Sequence, residues 1–267
     1  MMEWYHAFCQ DDGKWYKQGF TDFPYPIAHE YMRLFAMLND GEIYGCIFQL
    51  KDVFEVLIKH MVSCLSAVVA KNDDSVFRLF VNPLKFPALG DWAETIAASL
   101  AKYDILKSDS SCFPFLKEIQ SFFGRNGIVN WRNETLGHGA LAFKDDPEII
   151  GALQEKIQLV SGFFRENAGA ISSLMLYQGD AALKGSGCAV SGRKVFMLHK
   201  GASVEVEPFI IADKGCILYF DSCRKDGSAY LDYANGKKRT VNYPVWRQKQ
   251  NKFYSAVPVQ SSERIES

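Results

Sequence analysis

One short segment joins side chains that can hold an oxyanion and move a proton: Trp131-Arg132-Asn133-Glu134-Thr135-Leu136-Gly137-His138-Gly139. A guanidinium grips phosphate or carboxylate oxygens in pairs. An imidazole titrating near neutrality accepts or donates protons. Five residues separate Arg132 from His138. Six helical steps rotate the chain by about 240°, so one straight helix does not put both groups on the same face. Gly137 offers a left-handed turn that would fold His138 back toward Arg132. Alternatively, each group meets its copies across a two-fold axis. The plainer reading pairs Arg132 with Glu134 or another carboxylate and uses His138 to cap a helix C-terminus, where a cation is favoured. Arg125 stands seven residues before Arg132 and extends a phosphate-binding surface if one helix carries both.

The rest of the sequence offers less chemistry. The 7 cysteines, Cys9, Cys46, Cys64, Cys112, Cys188, Cys216 and Cys223, form no CxxC pair and no Cys/His set with zinc-ligand spacing. They are expected as free, mostly buried thiols in a reducing compartment. His6, His29, His60 and His199 have no partner spacing, and Lys184-Gly185-Ser186-Gly187 lacks the full phosphate-loop pattern. Asp52 and Glu55 are expected as solvated helix charges, with a place beside the Arg132 cleft as the alternative. No metal and no cofactor is implied. Net charge is −1, from 30 Lys+Arg against 31 Asp+Glu, which excludes wrapping of long nucleic acid by bulk charge. Any contact with nucleic acid is expected to be local.

The elements that must position these residues follow from the apolar pattern. Ile43, Ile47, Leu50, Phe54, Leu57, Ile58, Met61, Leu65, Val68 and Val69 recur at three- and four-residue steps. They predict a helix reaching Ala70, roughly 40 Å long, that needs partner helices. Its charges, Lys51, Asp52, Glu55 and Lys59, argue against a membrane span. Residues 1–25 read as an ordered aromatic arm. Helices are predicted over Ile27–Leu38, Asp74–Phe80, Asp91–Tyr103, Phe113–Phe123 and Ile128–Leu136. Another starts at Asp146-Pro147 and reaches as far as Tyr177. Gly137 and Gly139 stop the helix that carries the motif. After Gln178-Gly179 the pattern turns to short β runs: Lys194–His199, Ser203–Ile211, Cys216–Asp221, Ala229–Tyr233 and Arg239–Tyr243. Lys225-Asp226-Gly227 and Asn235-Gly236 mark hairpins. The predicted organisation is α+β. An all-α bundle over 1–178 is followed by a small antiparallel barrel or sandwich over 179–259 and a polar tail over 260–267. The start of the chain does not read as a signal peptide, and a cytoplasmic protein is expected.

At Arg132, Asn133 and His138 the sequence resembles the HEPN superfamily, whose pattern is an Arg, usually followed by a polar residue, and a His with four to six residues between. The resemblance covers roughly Tyr25 to Tyr177, where a helical bundle with the motif at the end of a late helix also fits. It implies a metal-independent endoribonuclease working as a homodimer through the helical domain. RNA supplies the 2′-hydroxyl nucleophile, His138 is the general acid/base, Arg132 binds the scissile phosphate, and Asn133 orients the phosphate or the ring. Arg125 would add to substrate binding. Products would carry a 2′,3′-cyclic phosphate and a 5′-hydroxyl, as in a toxin or defence effector. The alternative within the same resemblance is a catalytically silent module that binds a protein or a nucleotide. The β-rich part, which carries no catalytic motif, is expected to dock a protein partner or to meet RNA through its aromatic residues.

Overall fold

A computed structural model describes residues 4–81, 88–137, 147–191, 194–224, 227–233, 237–241, 245–247 and 252–254. The aromatic arm contains two helical pieces, α1 (Trp4–Gln10) and α2 (Gly19–Asp22). Trp15 lies buried between Phe20, Tyr31 and Phe35, with ring centroids 5.1 to 6.5 Å apart. Pro24 enters α3 (Tyr25–Asn39), where a fixed φ suits the start of a helix. Then comes α4 (Ile43–Ala70), with the bounds its periodicity predicts. A 3-10 turn (Asp74–Phe77) and α5 (Arg78–Val81) follow. Next is a π-helical stretch (Asp91–Ile96) that runs into α6 (Ala97–Leu100), with α7 (Asp104–Lys107) after it. The longer helices are α8 (Cys112–Arg125), α9 (Ile128–Gly137) and α10 (Pro147–Glu166), closed by the short α11 (Ala168–Ser172). The predicted continuation of α10 to Tyr177 does not form. Helix α10 ends at Glu166, and the chain is already extended at Leu176.

The strands are all antiparallel. The first sheet has the order β2 (Ala181–Leu183), β1 (Leu176–Gln178), β3 (Phe196–His199), β4 (Ala202–Glu205). The second is the meander β5 (Ile210–Asp213), β6 (Cys216–Arg224), β7 (Gly227–Asp232), β8 (Lys237–Val241). A separate hairpin joins β9 (Val245–Arg247) to β10 (Lys252–Tyr254). The two hairpins expected from the glycine turns are present, with Arg224 opposite Gly227 and Asp232 opposite Lys237. The fold is α+β as expected; of the barrel or sandwich anticipated for its second part, no closed barrel forms among the described residues, and β4 and β6 lie against α4. Gln260–Ser267, the expected tail, falls outside the described residues.

Helix α4 is apolar almost all round because it has neighbours on nearly every side. It is long and apolar enough to cross a membrane, with mean hydropathy 1.8, yet 89% of that window is buried inside the fold. One contiguous core runs from Phe8 in the arm to Tyr233 after β7, so the helical and strand segments share an interior. Polar links cross the same boundary. The Tyr219 hydroxyl lies 2.7 Å from His60 Nδ1, and the Leu174 carbonyl lies 2.8 Å from His60 Nε2. A carbonyl only accepts, so Nε2 carries the proton and Nδ1 accepts from Tyr219. Two charges that interrupt the apolar pattern of α4 find partners on other segments, which corrects the solvated reading of Glu55. Lys59 is only 3% exposed, 3.6 Å from the equally buried Asp221 of β6, and Glu55 accepts a hydrogen bond from the Tyr233 hydroxyl at 3.2 Å. Periodicity shows which face of a helix is apolar; it does not show that a distant strand supplies a counter-charge.

His60 predicts an acid response. Complete burial lowers its pKa from 6.5 to about 4. The folded pKa lies below the unfolded one, so this contribution is complete above pH 6.5 and declines as pH falls toward 4. The loss is on the order of 3 kcal/mol. Urea titrations at pH 7, 5 and 4 should show this decline, and His60→Gln should flatten it. An equal slope in the variant would refute the assignment.

Candidate functional site

The motif sits where α8 and α9 meet α4. Phe115, Leu116, Ile119, Phe122 and Phe123 give α8 one buried face. Gly127, with φ +59°, then turns the chain into α9. Nothing lies within 4 Å of a Cβ built there, so Gly127→Ala costs conformational strain alone. A loss of about 1 kcal/mol in urea unfolding is expected; an unchanged midpoint would show that the turn tolerates a side chain. The condition for a shared arginine surface is therefore not met, because Arg125 ends α8 and Arg132 belongs to α9.

Helix α9 is anchored by fully buried Ile128 and by Trp131, whose ring meets Phe54 of α4 edge-on at 6.0 Å. Arg132 follows directly and is half-buried. Its Nη1 donates to Asn133 Oδ1 at 3.1 Å, while its Nε is buried with no hydrogen-bond partner among the described residues. No carboxylate among the described residues ion-pairs with it, and Glu134 does not take the role that the plainer reading gave it. Lys51 of α4 is close enough for Arg132 to oppose its charge. Lys51 lies 2.8 Å from Asp52 and 3.7 Å from Glu55. Burial lowers its pKa, but those carboxylates more than compensate and hold it protonated. Asp52 itself is pushed up by burial, against the pull of Lys51. Asp52 and Glu55 are therefore engaged by Lys51 and Tyr233, and neither pairs with Arg132. Asn133 is exposed and holds one side of the guanidinium.

His138 lies outside the described residues; α9 ends at Gly137, one position before it. Arg125 is exposed and lines a cleft of about 380 Å³ between α8 and α10, with Asn126, Gln158, Glu166 and the ring edges of Phe122 and Phe163. The structure therefore brings Arg132 and Asn133 together and gives Arg125 separate surroundings. Sequence spacing gave His199 no partner, but the fold sets it 3.2 Å from Asp109 and 3.9 Å from Cys112. No local signal reveals that meeting, since 87 residues separate His199 from Cys112. Comparison with protein-family models, with curated proteins and with solved structures gives no match.

Proposed function

We propose that the chain is a metal-independent endoribonuclease of HEPN type that cleaves RNA by attack of the 2′-hydroxyl. The observation that carries this reading is Arg132: a half-buried guanidinium at the edge of a helical bundle, fixed by Asn133 and lacking a carboxylate among the described residues. A charge kept this way suits a scissile phosphate, whose oxygens gain negative charge as the reaction proceeds. Asn133 steers the guanidinium. His138 takes the 2′ proton or protonates the leaving 5′-oxygen. Two copies of the helical domain form the working unit and complete the cleft. Arg125 adds a phosphate contact further along the strand, and the β segments dock a protein partner.

The test is incubation of the full chain with end-labelled single-stranded RNA in EDTA, beside Arg132→Ala and His138→Ala. Products ending in a 2′,3′-cyclic phosphate and a 5′-hydroxyl are expected from the wild type alone. Equal cleavage by all three proteins would mark a contaminant and end the proposal. RNA bound tightly and left intact would leave a binding module in its place.

A further inference from the structure

The start of α8 and the tip of the β3–β4 hairpin build a second cluster. Lys200 and Gly201 turn that hairpin with φ of 50° and 76°, which sets His199 and Lys200 against the residues just before α8. Asp109 is 1% exposed. Its Oδ1 accepts from the Ser111 and Cys112 amides at 2.9 Å each and from the Ser111 hydroxyl at 2.7 Å. Its Oδ2 lies 3.2 Å from His199 Nε2 and 3.0 Å from Lys200 Nζ. On the opposite edge of the ring, His199 Nδ1 lies 3.9 Å from Cys112 Sγ. The imidazole thus stands between a carboxylate and a thiol. Asp109 Oδ2 makes no aligned hydrogen bond among the described residues, so the carboxylate acts on the ring through its field; with the proton on Nε2, the Nδ1 lone pair faces the sulfur. One donor atom from each of Asp109, Cys112 and His199 lies within 4.8 Å of the others, a spacing that would also suit a metal ion, but the Lys200 ammonium sits on the same carboxylate. Cys112 is also the first residue of a 14-residue helix, whose amide end favours a thiolate.

We propose that Cys112 is a nucleophile with His199 as its general base and Asp109 as a positioning residue, accepting the acyl group of a small activated ester or thioester. As sulfur bonds to the carbonyl carbon, the thiol proton passes to His199 Nδ1. The bond to the leaving oxygen or sulfur breaks, and that atom takes the proton from the imidazolium, leaving Cys112 as an S-acyl thioester. Water, deprotonated by the same nitrogen, then releases the carboxylic acid and restores the thiol. Cys112 is 6% exposed, which restricts the donor to a small acyl group. Burial, and after it the Asp109 carboxylate, push the Cys112 thiol up to about 11, while burial lowers His199. The pair therefore rests uncharged, and the proton moves only as the bond forms. The other groups facing the pair are Lys200, Lys71 beside His199, and Cys64 of α4 beside Cys112.

The probe is p-nitrophenyl acetate on the full chain, with adducts located by mass spectrometry. At pH 7 the acetyl group is expected on Cys112 ahead of the less buried Cys188. His199→Gln should slow acetylation of Cys112 about a hundredfold and leave Cys188 unchanged. In the wild type the Cys112 rate should be level from pH 7 to 9, because its base is already unprotonated. An unassisted thiol climbs about tenfold per pH unit over that range. A climbing profile, first labelling of Cys188, or a rate indifferent to His199→Gln would overturn the proposal. So would stoichiometric zinc retained by the wild type and lost in Cys112→Ser. The wild-type pH profile decides the matter even if His199→Gln fails to fold.

Discussion

Arg132→Ala should lower RNA cleavage by about 10²–10³-fold while leaving the fold intact, the loss typical of removing one preorganised donor from a charged transition state. The side chain donates a hydrogen bond to its own neighbour, Asn133, and its Nε has no hydrogen-bond partner among the described residues. Stability should therefore change by no more than about 0.5 kcal/mol. Arg132→Lys should recover little, since an ammonium restores the charge without the planar paired donors. Single-turnover cleavage measured beside urea unfolding checks both statements. A variant that loses activity and stability together would make Arg132 structural; one that keeps its full rate would remove it from the chemistry.

Asp221→Ala is expected to cost about 3–5 kcal/mol, because it leaves a buried ammonium without its carboxylate. Lys59 Nζ lies 3.6 Å from Asp221 Oδ1, both side chains are 3% exposed, and the amine sits 5.1 Å from the Trp92 ring and 5.5 Å from the Tyr233 ring. Those aromatic faces hold the charge in place but return only about 0.5–2 kcal/mol, too little to replace the carboxylate. Joint replacement, Lys59→Met with Asp221→Leu, should recover most of the loss, since an apolar pair carries no desolvation cost. Urea unfolding of the two single variants and the double isolates the coupling. A loss below about 1 kcal/mol in Asp221→Ala would show that the ammonium does not depend on that carboxylate.

Periodicity exposed some of this design and concealed the rest. Helix α4 was legible to its ends because ten apolar residues keep one helical rhythm over its length. Helix α9 was legible because glycines bracket it. Strands β1 and β2 were not, since three residues apiece are too few to display alternation after a helix without a breaking proline. The partners of the polar residues of α4 were hidden for another reason. Gln49 donates to buried Glu30, and Lys59 pairs with Asp221; both partners lie on other elements. Local spacing singled out Arg132 and Asn133, whose side chains are hydrogen-bonded to each other. It made an Arg125 surface conditional on one continuous helix, and Gly127 divides the run. The meeting of Asp109, Cys112 and His199 depends wholly on how a hairpin lands on a helix, which no window of sequence contains.

The Tyr233 hydroxyl holds Glu55, and Glu55 with Asp52 occupies Lys51, a cation whose charge Arg132 opposes. During synthesis the segment bearing Arg132 leaves the ribosome roughly a hundred residues before Tyr233 does. The nascent bundle would at that stage have a loosened carboxylate able to swing onto the guanidinium. The contact that engages Glu55 is thus completed only after the residues that follow β7 have emerged.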